Sequence, residues 1–382
     1  MEWQIPLSDI DFGPEESAAV QQVLDSRWLT MGAVTQAFEE EFAAYVGAKH
    51  AIALTNCTAA LHLACLAAGL GAEDEAIVPS LTFVATANAV RYTGATPVFA
   101  DIESEQNLCI STSAIEACLS IKTKAIVVMH YGGYACDMPG IMALAREYGL
   151  MVIEDAAHAV GSELDGRKLG MWGNIGCYSF FSNKNLTTGE GGMLVTDDNA
   201  IASQLHGLRS HGMTAMTWDR HQGHAWSYDV VGLGYNYRID EIRSALGRVQ
   251  LGKLEKNNAA RRRLTALYRD YLGEFVPRVI LPFEKVDCVS ACHLFPILLP
   301  GNVNRDAFME QMKAQGIQTS IHYPPVHKFQ AYADIQSSAD DLSVTEDVAG
   351  REVTLPLYPG MTDRQVETVA QAIRSVLREN VS

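Results

Sequence analysis

The feature that most constrains this chain is the alternation of short apolar runs with helical stretches up to about residue 200. "HAIALTN" (50–56), "EAIVPS" (75–80), "TPVFADI" (96–102), "TKAIVVMHY" (123–131) and "LMVIEDAA" (150–157) each read as a strand. Between several of them, "TAALHLACLAAGL" (58–70), "FVATANAVRYTG" (83–94) and "PGIMALAREYG" (139–149) carry apolar residues at helical spacing. "IGCYSFF" (175–181) and "GGMLVTDD" (191–198) continue the strands. Short strands separated by helices form βαβ units and a mainly parallel sheet. Each run is nearly continuously apolar, as expected when helices cover both faces of the sheet. The expected fold class is α/β.

The flanks of this pattern differ. Residues 16–45 read as two helices with a reversal near Trp28–Gly32, the second stopping at Gly47. Residues 240–275 form one long helical stretch rich in Arg and Lys. Beyond it, "HLFPILLP", "IQTSIHY" and "EVTLPLY" read as strands, and "NRDAFMEQMKAQG" and "DRQVETVAQAIRSVLREN" as helices. The chain of 382 residues is long enough to divide. The expectation is a large domain over 1–250, with an N-terminal arm, and a smaller α+β domain over 251–382.

Charge narrows the function. Lys and Arg number 29 against 45 Asp and Glu, a net −16. That balance argues against nucleic-acid binding, which needs clustered cations, but not against an anionic small ligand in a locally positive pocket. The eight cysteines are scattered, and Cys288 and Cys292 lack a second pair at zinc spacing, so reduced thiols and no metal site are expected. The opening "MEWQIPLSDIDFGPEE" has neither a basic nor an apolar signal region, and no apolar run reaches the ~18–20 residues of a membrane span. A cytoplasmic protein without a membrane partner is expected.

In open α/β sheets, ligands bind beyond the carboxyl ends of the strands. Three features fall there. Thr55-Asn56-Cys57-Thr58 precedes an Ala-rich helix, and reads either as an ordinary cap or as an anion site on free backbone N–H groups. "VIEDAAHAVG" ends a strand in Glu154-Asp155, with His158 three residues on. A carboxylate there suits a metal, a ribose hydroxyl, a protonated ring nitrogen or a helix cap. "CYSFFSNKNLTTGEGG" (177–192) holds Lys184 between aromatic residues and glycines. A lysine enclosed in this way loses affinity for its proton and becomes a competent amine, whereas the alternative is a surface loop lysine. A phosphate cup, a strand-end carboxylate and an enclosed lysine together are what pyridoxal phosphate requires.

These residues carry a resemblance. "WLTMGAVTQAFEEEFAAYVGAKHAIALTNCTAALHLA", "VIEDAAHAVGSELDGRKLG", "YSFFSNKNLTTGEGGMLVTDD", "LGYNYRIDEIRSALGRVQL" and "LPLYPGMTDRQVE" resemble, in this order and over almost the full length, the DegT/DnrJ/EryC1/StrS family of pyridoxal-phosphate-dependent sugar aminotransferases. The resemblance implies the aspartate-aminotransferase-like fold type I. Its large domain holds a mainly parallel sheet flanked by helices, and its C-terminal domain is smaller. It also implies that Lys184 forms the Schiff base with the cofactor, that Asp155 pairs with the pyridine nitrogen, and that His158 sits near the ring oxygen. Asn56, Cys57, Thr58 and Ser179 would hold the phosphate, with Cys57 standing where the family often has Ser or Gly. Phe83 would stack on the ring. Asn236 in "GYNYR" would reach the phosphate of a neighbouring subunit, which requires a homodimer with shared active sites.

The implied reaction moves an amino group from an amino acid, by analogy L-glutamate, to a nucleotide-linked keto-deoxysugar. The product would be an amino sugar for polysaccharide, O-antigen or natural-product biosynthesis. A keto-cyclitol acceptor, or the dehydratase branch of the family, is the alternative. The dehydratases replace the lysine with histidine, so Lys184 favours transamination. Thr30, Arg238, His322 and Tyr323 are candidate substrate contacts; for Arg238 a structural helix-entry ion pair is the favoured alternative, and His322-Tyr323-Pro324 reads equally as a strand end. His206 and His211 are expected in solvent. Residues 213–231, long and aromatic, are expected to form an active-site flap against the partner. No G-x-G-x-x-G follows the first strand, which sets aside a dinucleotide-binding dehydrogenase.

Overall fold

Capping residues divide the chain close to where the sequence places the breaks. The computed structural model describes residues 3–215, 218, 223, 227–276, 278–335 and 342–379. Helix α1 (Pro14–Ser26) starts with proline in its first turn, and the Gly13 N–H donates to the Glu16 carboxylate at 2.8 Å. Helix α2 (Ala33–Val46) stops at Gly47, whose φ of 78° is left-handed. After β1 (His50–Leu54), Asn56 caps α3 (Cys57–Ala67) by accepting from the Ala59 N–H at 2.8 Å. A cap of this kind contributes about 1 kcal/mol. There follow β2 (Glu75–Pro79), α4 (Ala85–Tyr92), β3 (Thr96–Ala100), β4 (Thr123–Met129), α5 (Met138–Tyr148), β5 (Met151–Asp155), β6 (Ile175–Ser179), β7 (Gly192–Thr196) and α6 (Asn199–Arg209).

These strands form one seven-stranded sheet in the order β1-β7-β6-β5-β4-β2-β3. The pairs β6/β5, β5/β4, β4/β2 and β2/β3 are parallel, whereas β7 runs antiparallel to both β6 and β1. The fold is thus the expected α/β type with a mainly parallel sheet. Because β7 is reversed, it begins at the edge where its neighbours end: Gly192 pairs with Ser179 on one side and Leu54 on the other.

Asp240 caps the long helix α7 (Glu241–Leu272), accepting from the Arg243 N–H at 2.9 Å. The first half of α7 faces α1 and α2 through Arg248–Glu41 and Gln250–Glu16 contacts. Its last half meets the terminal helix through Arg263–Asp363. The 250/251 division therefore falls inside α7. Beyond it lie β8 (Phe295–Leu298), α8 (Arg305–Ala314), β9 (Glu352–Leu355) and α9 (Asp363–Glu379), with β8 and β9 antiparallel. One hydrophobic cluster runs from Ile77 and Val128 of the large sheet to Phe295, Val353 and Val366, so the two parts share a core.

The structure differs from the sequence expectation at "IQTSIHY". Ile317 and Ser320 make only single bridges, to Ile5 and Thr354. The His322 N–H donates to the Glu352 carboxylate at 2.7 Å instead of to a neighbouring strand, and Pro324 and Pro325 have no N–H to extend a ladder. Elements not read from the sequence include the hairpins Ile102–Ser104/Asn107–Ile110 and Glu163–Leu164/Arg167–Lys168, the short helices Thr112–Ala117 and Ser343–Arg351, and α6. All eight cysteines are free thiols. Among the described residues, no helix is long and apolar enough to cross a membrane.

Candidate active site

The sheet edge gathers the chemistry. Asp155 ends β5 beside Cys177, Ser179 ends β6, and the capping turn of α3 lies against the start of β7. They surround a cavity of about 560 Å³, within the range of small-molecule sites.

Asp155 is buried on the cavity floor. The Thr86 hydroxyl donates to its Oδ2 at 2.8 Å and the Ala157 N–H to its Oδ1 at 3.1 Å. Burial pushes its pKa up, while these two donors and Lys184 oppose the shift. Lys184 sits in a turn where its N–H donates to the Phe181 carbonyl at 2.9 Å. Its side chain opens to the cavity but is closely surrounded by protein. Burial pulls the amine down to about 8 against the opposing charge of Asp155. Its Nζ lies 3.3 Å from His293 Nε2. The sequence expectation of an enclosed lysine with a weakened hold on its proton matches this geometry.

His158 Nδ1 accepts from the Gly132 N–H at 3.2 Å, which leaves the proton on Nε2 facing the Tyr323 hydroxyl at 2.9 Å. Burial and the nearby Lys184 hold its pKa well below the usual value, so the ring is neutral.

The other end of the cavity is suited to an anion. The N–H groups of Cys57 and Thr58 have no acceptor within α3, and the helix dipole is positive there. Ser179 adds a hydroxyl. Arg243 adds a guanidinium whose Nη1 stands 3.4 Å from the Thr55 carbonyl. Burial raises the Cys57 thiol well above its normal pKa, so it brings no negative charge. A Cβ on Gly192 would lie 2.5 Å from the Asn56 carbonyl carbon and 2.7 Å from Cys57 N. Glycine is what lets β7 approach the turn.

The outer wall comes from distant chain segments. Phe83 is 54% exposed, with its ring centroid 5.8 Å from that of Tyr323. His322 Nδ1 lies 2.8 Å from the Thr354 hydroxyl, and burial together with Lys184 pulls its pKa to about 3. Behind it, burial pushes the Glu352 carboxyl up to about 8.

Lys184, Asp155, His158, Asn56, Cys57 and Thr58 therefore converge on one cavity, as do Phe83, Ser179, His322 and Tyr323. Thr30, Asn236 and Arg238 do not line it. Thr30 is exposed and bridges Asp240; Asn236 is exposed and bridges Ser210. Arg238 bridges Leu54, and its buried Nη1 has no partner among the described residues. His206 and His211 are exposed. In the 213–231 segment, Met213 pairs with Val230 and the Trp218 ring lies 4.9 Å from that of Trp28. Residues 216–217, 219–222 and 224–226 of the expected flap lie outside the described residues.

Three contributors were missed in the sequence: Thr86, Arg243 and His293. Thr86 lies one helical turn after Thr82, whose hydroxyl it meets at 2.8 Å, and this spacing could have pointed to it. Arg243 follows its capping Asp240 by three residues and reads as a local ion pair. His293 stands alone before an apolar run and carries no local signal.

The model of the DegT/DnrJ/EryC1/StrS aminotransferase family matches residues 11–374. The spore coat polysaccharide biosynthesis protein SpsC of Bacillus subtilis is 40% identical over 380 residues, covering 98% of this chain and 97% of SpsC. The crystal structure of the aminotransferase TlmJ from Streptoalloteichus hindustanus superposes with a TM-score of 0.90 at 33% identity, covering 98% and 99% of the two chains. DesI, solved in the presence of its TDP-sugar product, superposes with a TM-score of 0.88 at 30% identity, covering 99% and 94%.

Proposed function

Since this chain belongs to the DegT/DnrJ/EryC1/StrS aminotransferase family, whose members depend on pyridoxal phosphate, we propose that it aminates a nucleotide-linked keto-deoxysugar with L-glutamate as donor, using that cofactor in the cavity of Lys184 and Asp155. The single observation that carries the reading is the convergence of an enclosed amine, a buried carboxylate and an open helix start on one cavity. SpsC, named for polysaccharide biosynthesis, and DesI, solved with a TDP-sugar product, support a sugar-nucleotide acceptor.

The residues fit the cofactor. Backbone N–H groups, the Ser179 hydroxyl and a turn pressed against Gly192 suit a phosphate. Asp155 is a buried carboxylate with two hydrogen-bond donors and Lys184 nearby, and a protonated ring nitrogen would add a further partner for its charge. Bound there, pyridoxal phosphate supplies an aldehyde that amines can join and a ring that accepts the electrons of a broken C–H bond.

The chain's residues supply the rest. Lys184, with its amine near 8, holds both protonated and neutral forms around neutral pH. In its neutral form Nζ takes the proton from the donor's α-carbon, and in its protonated form it returns one, as general acid–base catalysis requires. Thr86 and the Ala157 N–H hold Asp155 in place and oppose the upward pull of burial on its pKa. Neutral His158 donates from Nε2 and so fixes the Tyr323 hydroxyl on the substrate side. Phe83 and His322 narrow the entrance.

In this reading residues 1–250 supply the floor and Phe83 of the outer wall, and residues 251–382 supply His322 and Tyr323 of that wall. The site is completed across a homodimer: Asn236 is exposed beside Val231 and Leu233, which are 74% and 87% exposed. Eight free thiols support a reducing, cytoplasmic setting.

The test is product formation. The purified enzyme is incubated with L-glutamate and a panel of nucleotide-linked 3-keto and 4-keto deoxysugars. Equal yields of 2-oxoglutarate and amino sugar are expected. Sugar deoxygenation without glutamate consumption would place it in the dehydratase branch, and turnover only with keto-cyclitols would replace the sugar acceptor.

A further inference from the structure

The contact between Lys184 Nζ and His293 Nε2 at 3.3 Å is the inner end of a hydrogen-bond chain whose direction can be deduced. Carbonyl oxygens only accept. Asn258 Nδ2 donates to the Val160 carbonyl at 2.9 Å, so Asn258 Oδ1 accepts from Asn185 Nδ2 at 2.8 Å. The second Asn185 N–H donates to the Ala291 carbonyl at 2.8 Å. Asn185 therefore turns its Oδ1 to His293 Nδ1 at 2.9 Å, and that nitrogen must carry the ring proton. Burial and Lys184 hold His293 well below its usual pKa, so the ring is neutral. Its Nε2 then offers Lys184 a bare lone pair. Asn185, Asn258 and His293 are all buried, which keeps water from offering the ring alternative partners.

The tautomer decides what the lysine can do. An acceptor at Nε2 engages one N–H of the amine and leaves the nitrogen lone pair free. The opposite tautomer would donate an N–H to that lone pair and mask the base. Resting on the reading of Lys184 as the cofactor-binding amine, we propose that Val160, Asn258, Asn185 and His293 form a positioning relay that holds His293 in its Nδ1–H tautomer and so orients the Lys184 amine, lone pair free, whenever that amine is not bonded to the cofactor. The relay links α7, through Asn258, to a lysine 74 positions earlier in the chain. Without it, a flexible four-carbon side chain would have to be ordered at each turnover. The other titratable groups facing the amine are Asp155 at the end of β5, Cys57 at the start of α3, and His158 and His322 on the cavity wall.

The test uses the full-length protein saturated with pyridoxamine 5′-phosphate, in which Lys184 carries a free amine. Trace acetylation of Lys184, followed by mass spectrometry against pH, gives the inflection of that amine independently of turnover. Loss of the acceptor destabilises the ammonium, so His293→Leu should lower the inflection by about one pH unit, while His293→Gln, which can place Oε1 at the Nε2 position, should stay within about 0.3 unit of wild type. Asn185→Leu, which removes a side chain bonded to His293, Asn258 and Ala291 and not to the lysine amine, should move it the same way as His293→Leu. An unchanged inflection in His293→Leu, or an equal shift in His293→Gln, overturns the relay. Nitrogen-15 NMR of histidine-labelled wild-type protein, with His293 assigned by the Gln variant, needs no destabilised mutant: the Nδ1–H tautomer is expected, and the Nε2–H tautomer overturns the proposal. A Lys184→Ala protein that kept the covalent cofactor absorbance would sink the parent reading alone, since the tautomer remains measurable.

Discussion

The floor of the cavity and the segment beside it, residues 227–238, are built in different ways. The floor is positioned by sheet register: Asp155 beside Cys177, Ser179 beside Gly192, and Gly192 against the Asn56–Cys57 turn. Asp155 meets its donors, Thr86 and the Ala157 N–H, from the same chain, while the N–H groups of Cys57 and Thr58 stay open to the cavity. The segment 227–238 touches the cavity only at its base, where Tyr237 accepts from the Thr55 N–H at 2.9 Å and Arg238 bridges Leu54. Farther out it presents Val230, Val231 and Leu233 at 53%, 74% and 87% exposure. Contiguous exposed apolar residues mark an interaction surface. The difference teaches that a single chain completes the chemical floor, while the margin depends on something docking against it, in our reading a second copy of the chain.

The comparison can be broken most severely at the floor. Lys184→Ala should reduce kcat by at least ~10⁴-fold, because it removes both the covalent anchor and the proton carrier. Absorbance spectroscopy should show loss of the covalent cofactor band, and a retained wild-type rate would refute the assignment. Asp155→Ala removes one preorganised charge and should cost ~10³-fold in kcat, measured with saturating cofactor so that weaker binding is separated from slower chemistry. Unchanged kcat there would end the ring-nitrogen role.

At the margin the effect should be smaller and of another kind. Val231→Asp combined with Leu233→Asp should raise the dimer dissociation constant at least ~10-fold. Sedimentation velocity reads the dissociation, and specific activity should fall on dilution. A variant that remains dimeric would place the interface elsewhere.

The smallest effect lies behind the wall, at Glu352. Its carboxyl is moved by burial from 4.5 to about 8, so the folded state binds the proton more tightly than the unfolded one. Its stabilising contribution is full below 4.5 and is lost as pH rises through about 8. Glu352→Gln mimics the protonated form and should escape that loss. Between pH 6 and pH 9 its Tm should gain about 2–4 °C on wild type. Parallel Tm curves would mean that the carboxyl ionises freely in the folded protein.

Much of the floor was legible because its signals are local. Asn56 and Gly47 are cap residues at element boundaries, Asp155 follows Glu154 at the end of a buried strand, and Lys184 is framed by aromatics and glycines within a few positions. The outer wall was less legible. Tyr323 and His322 were named without a contact to justify them. Arg243 went unread: it pairs with Asp240 at 2.7 Å and also lines the cavity. Arg238, chosen for its charge, does not line the cavity; its backbone bridges Leu54 and its Nη1 is buried.

By itself the sequence determined the fold class, the family and most of the order of strands and helices, and it nominated the amine and the carboxylate. Those depend on periodicity, capping and short motifs, which act over one or two helical turns. Only the tertiary structure decided what surrounds the amine. His293 lies 109 positions from Lys184 and reaches it because α7 and the segment before β8 pack against the floor, an arrangement that sequence spacing does not encode. The tautomer of that histidine, and with it the direction of the lone pair offered to the lysine, follows from partners that meet only once the chain has folded.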